Sequence, residues 1–424
     1  MEDQAADAAI YERFVNPAWS NIVRSTGLDM KPVRASGSWL YMEDGRKILD
    51  FVTGYGAMPL GHNPFALLER FSSDLQTLLP NLNPLGISAD AGELAKKLIE
   101  LAGIVDGKVY FGNGGVDAVE AALKFAMVHT GRTGIVTIEG GFHGLSLTAT
   151  WLAGSDFWRR DLPAPPAQFK QSPLGDTDSI GSLLANNDVA AVLLEPVQGT
   201  AGARVWKQCD LMKVADLCAK HGTVLIFDEI LCGIARTGHW FAYQTLDVPA
   251  PQIVLISKAL TGGIFPVSAV LMQDAIYRSV FARDSAAKIH GATFSGNRLG
   301  MRCGSHVLSL LHELDICSNV QIRGEYLKFG IDRLGSKLGF SCEGIGLARS
   351  IHATPECVHR FGDDVAVQLW HALLTRNVLT IPAAHDLTSV RLLPPLNVTA
   401  DEVDLFLRIF DDVLQDLFSE EGAA

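Results

Sequence analysis

Between about residues 60 and 310, short continuous apolar runs alternate with stretches of helical periodicity. This alternation constrains the fold of the chain more than any other feature. The runs are Val109-Tyr110-Phe111, Gly134–Ile138, Val189–Leu194, Thr223–Phe227, Ile253–Ile256 and Val267–Leu271. Between them, Ala118–Val128 and Leu211–His221 carry apolar residues at helical spacing. Apolar strands alternating with helices predict an α/β fold, a mainly parallel sheet covered on both faces. The Pro-rich stretch Leu162–Pro173 reads as a surface excursion. After residue 310 the texture changes. Val320–Leu338 reads as a long amphipathic helix, Gly339–Ser350 as short strands, and Val365–Asn377 and Ala400–Phe418 as helices. The expected division is a large domain at 56–310 and a smaller α+β domain at 311–424. A segment at 1–55, with Trp39-Leu40-Tyr41 and Lys47–Phe51 around the turn Asp44-Gly45, is expected to pack with the small domain and the active site.

Composition narrows the function. With 35 basic and 47 acidic residues the net charge is −12, and no basic run occurs, which argues against a surface for nucleic acid. No apolar run approaches the ~20 residues of a membrane span. The acidic start, Met1-Glu2-Asp3-Gln4-Ala5-Ala6-Asp7, is unlike a signal or transit peptide. The seven cysteines are odd in number, widely spaced and without C-x-x-C, which fits neither a disulfide framework nor a zinc site. The expected location is the cytoplasm.

In parallel α/β sheets the chemistry lies beyond the carboxyl ends of the strands. Thr223–Phe227 ends in Asp228-Glu229. An acid there either caps a helix or pairs with a structural cation, or it holds a cationic ligand in the crevice. Ile253–Ile256 ends in Ser257-Lys258, a surface lysine or one that reaches back into the same crevice. Phe111-Gly112-Asn113-Gly114-Gly115-Val116 puts glycines between a strand and a helix, where backbone N–H groups can approach an anion. Together these supply an anion cradle, an amine for a Schiff base and a carboxylate for a pyridinium N–H, which is what pyridoxal phosphate requires. The carboxylate keeps the ring nitrogen protonated by ion pairing.

From about residue 35 to 412 the chain resembles the class III aminotransferases of fold type I, the ornithine aminotransferase-like and ω-transaminase-like group. The motifs include Gly61-His62-Asn63-Pro64, Asp117-Ala118-Val119-Glu120, Gly140-Gly141-Phe142-His143-Gly144 and Glu195-Pro196-Val197-Gln198-Gly199. They continue with Asp228-Glu229-Ile230-Leu231-Cys232-Gly233, Ala235-Arg236-Thr237-Gly238, Ser257-Lys258-Ala259-Leu260, His290-Gly291-Ala292-Thr293-Phe294 and Val390-Arg391-Leu392. The resemblance implies a large domain built on a mainly parallel seven-stranded sheet. It makes Lys258 the Schiff-base lysine and proton carrier, and Asp228 the partner of the pyridine nitrogen. Phe142 would stack on the ring, with His143 and Leu231 beside it. Gly114, Gly115 and Val116 would hold the phosphate. Thr293 would reach the phosphate of the neighbouring subunit, which makes a homodimer the smallest complete unit. Arg391 would bind a substrate carboxylate, and Tyr55 would line the substrate pocket.

Four positions depart from the family's pattern. Gly114 stands where members often have Ser or Thr, and Leu231 where many have Gln. Thr200 stands where ornithine-type enzymes have a Glu that parks the arginine, and Leu145 where they have an arginine for the α-carboxylate. Without that arginine and glutamate, recognition of an α,ω-diamino acid is lost. The expected reaction moves an amino group between an amino acid or 2-oxo acid and an amine or carbonyl compound without an α-carboxylate, through a pyridoxamine form of the cofactor. A racemase, epimerase or aminomutase of the same fold is the alternative.

Overall fold

Seven strands form one sheet: Lys108–Gly112 (β1), Gly134–Ile138 (β2), Phe169–Ser172 (β3), Val189–Leu194 (β4), Val224–Asp228 (β5), Ile253–Ile256 (β6) and Ser268–Met272 (β7). In this computed structural model, which describes residues 9–83, 85–384 and 386–418, their spatial order is β1-β7-β6-β5-β4-β2-β3. β7 runs antiparallel to β6 and β1, and the other neighbours pair in parallel. The acidic start Met1–Asp7 lies outside the described residues.

Alternate residues of each inner strand enter different cores, as the two-residue period requires. Val192, Leu194, Phe227 and Ile256 face one core, which also holds Met301 and Val307 of the helix Arg298–Glu313. Leu193, Ile226 and Leu255 face the other, with Val119, Ala122 and Phe125 of the helix Gly115–Thr130. Strands β4, β5, β6 and β7 are buried along their whole length, which is why their sequences are apolar except for Asp228 and Ser268 at strand ends.

Leu162–Gln171 lies at the surface, as the sequence suggests, but its last part is not irregular: it forms the strand β3. Phe169-Lys170-Gln171-Ser172 is an edge strand, buried only at its end, so it carries no apolar run.

Two four-stranded sheets and the short pair Val197–Gln198 with Arg204–Val205 accompany the seven-stranded sheet among the described residues. Pro32–Ser36, Trp39–Met42 and Lys47–Asp50 pair in antiparallel fashion, and Lys47–Asp50 continues in parallel to Val378–Leu379 near the far end of the chain. The other sheet orders Phe340–Ile345, Ala348–Ala353, Ser389–Leu392 and Ile381–Pro382, and carries Arg391 on a fully buried strand. The helix Ile316–Gly335 ends in a 3-10 turn at Ser336–Leu338, and the last helix is Ala400–Phe418. Phe51, just after Lys47–Asp50, stacks on Phe406 of that helix at 5.1 Å. No helix among the described residues is long and apolar enough to cross a membrane.

Candidate active site

Asp228 is the last residue of β5 and stands opposite Leu255 of β6. The Glu229 N–H donates to Leu255 O at 2.9 Å, which locks the two strand ends together. Lys258 follows three residues later and opens the 3-10 turn Lys258–Thr261 with a left-handed φ of 25°. Such a conformation costs about 1–3 kcal/mol in a residue with a side chain and persists only where the surroundings impose it. Here Ser257 Oγ donates to Val267 O at 2.8 Å, and Leu260 N–H donates to Ser257 O at 2.7 Å.

Burial lowers the pKa of Lys258. The charges of Asp228 and Glu195 oppose this, and Arg391 adds to it. Among the described residues no hydrogen bond or ion pair engages its amine. An amine moved toward its neutral form and left without a partner is a nucleophile.

Both oxygens of Asp228 are fixed. Oδ1 accepts from Ile230 N–H at 3.1 Å, and Oδ2 lies 2.7 Å from His143 Nδ1. Burial alone would lower the pKa of His143, but the hydrogen bond and charge of Asp228 outweigh it, and the net shift is upward. The other ring nitrogen, Nε2, is buried without a partner.

Glu195 is the site residue to which the sequence reading gave no role. It directly follows β4, so the strand-end rule that picks out Asp228 and Lys258 points to it as well. Its Oε1 accepts from Phe142 N–H at 2.9 Å and its Oε2 from Gly199 N–H at 3.1 Å. Burial raises its pKa to about 7; the His143 charge lowers it and Asp228 raises it further.

The cradle forms where β1 passes into the helix Gly115–Thr130. Gly114 is the N-cap in extended conformation, and a Cβ there would meet no atom within 4 Å. The Asn113 N–H donates to Asp117 Oδ2 at 2.9 Å, which closes the turn. Gly144, at φ 115°, packs so closely on Val116 that a Cβ would lie 2.4 Å from its Cγ2. Phe142-His143-Gly144 is thereby laid against the cradle. The Phe142 ring itself lies 5.0 Å from Trp158.

On the substrate side, Leu231 is wedged between Gly56 and Gly199. Next to Gly56, Tyr55 is half exposed with a left-handed φ of 59°. Arg391 is buried, and among the described residues the one hydrogen bond of its guanidinium is Nε to Pro382 O at 3.3 Å. Burial lowers its pKa to about 10, against the charges of Tyr55 and Glu195. Thr200 Oγ1 is buried without a partner. Leu145 and Thr293 are exposed, and no described contact joins Thr293 to the rest of this group. A cavity of about 910 Å³ beneath the helix Pro17–Ser25 contains none of these residues.

These residues fit pyridoxal phosphate. The amine of Lys258 lacks a partner, Asp228 is held rigidly by two donors, and His143 Nε2 is an unsatisfied buried atom beside it. The space above Gly114 is open at a helix N-terminus, where an anion is stabilised.

Residues 23–414 match the family model for aminotransferase class III. The chain is 32% identical over 387 residues to an acetylornithine aminotransferase of Streptomyces coelicolor, covering 90% of each. It is 28% identical to aminotransferase PigE of a Serratia species, covering 96% of this chain but only 53% of that protein, so it spans about half of that relative's length. An amine transaminase from an uncultivated Pseudomonas species, solved with pyridoxal phosphate bound, superposes with a TM-score of 0.82 at 24% identity, covering 91% of this chain and 94% of that one. The chain belongs to the class III aminotransferase family and is a pyridoxal-phosphate-dependent transaminase of α/β fold.

Proposed function

We propose that this transaminase exchanges an amino group between an amino acid or 2-oxo acid and an amine or carbonyl compound lacking an α-carboxylate. The observation that carries this reading is the state of Arg391. Its guanidinium is buried, and among the described residues it has no carboxylate partner, while Thr200 and Leu145 occupy the positions of the family's glutamate and second arginine. A planar guanidinium left in that state suits one substrate carboxylate, held by two parallel hydrogen bonds.

Bound in this site, pyridoxal phosphate supplies an aldehyde carbon for the amine and a ring that takes up the electron pair released at substrate Cα. Lys258 would hold the cofactor through its amine and, once freed by the substrate, would move the proton at substrate Cα. Asp228 ion-pairs with the protonated ring nitrogen, and His143 and Ile230 N–H keep its carboxylate in place. Phe142 covers the ring, and Glu195 holds the Phe142 and Gly199 backbones. Gly114, Gly115 and Val116 receive the phosphate, and Thr293 donates to the phosphate of a second protomer. Leu231 and Tyr55 line the pocket. The reading includes a homodimer, a cytoplasmic location, and a chain divided into segments 1–55, 56–310 and 311–424.

The test is a panel of amines and 2-oxo acids, with each half-reaction followed by stopped-flow absorbance of the bound cofactor. The expected best pair is pyruvate or 2-oxoglutarate with a largely apolar amine. Ornithine as the best donor would overturn the proposal. A transaminase must also convert all its cofactor when given donor alone, which a racemase or aminomutase does not.

A further inference from the structure

Asp117 stands in the first turn of the helix that forms the cradle, where a free carboxylate would compete with phosphate for the same N–H groups. Both its oxygens are engaged. Oδ2 accepts from Asn113 N–H at 2.9 Å, and Oδ1 lies 3.1 Å from His290 Nε2. On the other side of the His290 ring, Lys124 Nζ lies 2.8 Å from Nδ1. An ammonium only donates, so Nδ1 accepts, and the ring proton sits on Nε2 and is donated to Asp117. Edge-on contacts with Tyr110 at 5.3 Å and Phe125 at 6.1 Å fix the ring's orientation.

A second anchor follows five residues later. Ser295 Oγ accepts from Ala292 N–H at 3.2 Å and lies 3.4 Å from Tyr110 Oη. The segment is therefore fastened to the cradle helix and to β1 at both ends, while Gly291–Phe294 between the anchors is exposed. Thr293, in the middle, has no hydrogen bond among the described residues.

We propose that the chain Lys124–His290–Asp117 is a positioning device that holds the Thr293 segment against the cradle helix and turns the Asp117 carboxylate away from the phosphate. This rests on the reading of Thr293 as a phosphate donor across a dimer. On that reading, the chain ties the cradle of one cofactor site to the loop that completes the other. Lys124, His290 and Asp117 touch neither substrate nor cofactor; they act through Thr293 and the cradle.

The test is titration of the apoenzyme dimer with pyridoxal phosphate, read by absorbance, in a double-mutant cycle. His290→Ala and Thr293→Ala should each raise the Kd about tenfold, and the double variant should be little worse than either single one, because the two residues serve one contact. His290→Gln retains an N–H that reaches Asp117 and should recover most of the affinity. Wild-type affinity in His290→Ala, fully additive effects in the double variant, or a Gln variant no better than Ala would each overturn the proposal. If Thr293→Ala binds as wild type, the reading beneath the proposal falls with it; if Thr293→Ala weakens binding and His290→Ala does not, this proposal alone falls. Should His290→Ala fail to fold, the exposed Lys124→Met removes only the donor to Nδ1; severalfold weaker binding supports the chain, and unchanged binding overturns it.

Discussion

Leu231 occupies the space that a side chain at Gly199 would need: a Cβ there would lie 1.7 Å from Leu231 Cδ2. Gly199 also donates its N–H to Glu195, so the loop cannot withdraw without losing that bond. Gly199→Ala should therefore destabilise the protein by about 1–3 kcal/mol through overpacking. Adding Leu231→Ala should recover part of the loss. Urea unfolding of both variants checks this, and no recovery in the pair would mean that strain at residue 199 has another source.

Lys258→Ala should abolish turnover while leaving fold and oligomeric state as they are. The side chain carries no structural hydrogen bond among the described residues, so its removal leaves no buried polar partner unpaired. Steady-state rates together with size-exclusion chromatography decide this. Residual turnover above a few per cent would assign the proton transfer to another group.

Asp228→Asn should keep the cofactor bound but lower activity by two orders of magnitude or more, because loss of such support costs ~3 kcal/mol. The isosteric amide retains the shape of the site. It leaves His143 without its anionic partner, so the upward shift of the His143 pKa should also disappear. NMR titration of the imidazole reads the second effect independently of activity.

Much of this architecture is legible in the sequence, for a physical reason. A strand buried on both faces must be apolar throughout, so Val189–Leu194 and Ile253–Ile256 have the same bounds in sequence and structure. The edge strand Phe169–Ser172 meets no such demand, and its Lys170 and Gln171 conceal it. The antiparallel course of Ser268–Met272 is equally hidden, since an apolar run reads the same in either direction. Within the site, Asp228, Lys258 and Glu195 all follow from the strand-end rule. The contact between Leu231 and Gly199 and the pairing of His290 with Asp117, 173 residues apart, depend on tertiary packing alone.

Glu195 and Glu229 make stability fall as pH rises. Burial raises both folded-state pKa values to about 7, whereas the unfolded carboxyl keeps its ordinary value of 4.5. Between these limits the folded state binds more protons than the unfolded one, so each group's contribution is present at acid pH and lost as pH rises toward 7. For one group that amounts to about 3 kcal/mol. Glu195→Gln replaces one acceptor with a donor facing a backbone N–H, so it should be less stable at acid pH by about 1–3 kcal/mol. Its stability should nevertheless change with pH less steeply than that of the wild type, because Glu229 and the upward-shifted His143 still titrate. Urea unfolding of the apoenzyme between pH 4.5 and 7.5 tests this, and an unchanged slope would remove Glu195 as its source.

Arg391→Ala should separate the two half-reactions. The guanidinium belongs to the buried strand Ser389–Leu392, with the charge of Glu195 acting on it. A substrate carboxylate gains a charge-assisted pair with it, and a purely apolar amine gains none. Removing the arginine should raise KM for the 2-oxo acid or amino acid by about 100-fold, as expected for a desolvated charge pair worth 2–3 kcal/mol. KM for the amine should move by less than about threefold, because an apolar pocket discriminates through contact area rather than charge. Wild-type stability at pH 7 must be verified first, since the variant also deletes the hydrogen bond to Pro382 O. Stopped-flow absorbance of each half-reaction gives the two constants separately. Equal weakening of both halves would mean that both substrates carry a carboxylate, and the proposed amine partner would then have to be given up.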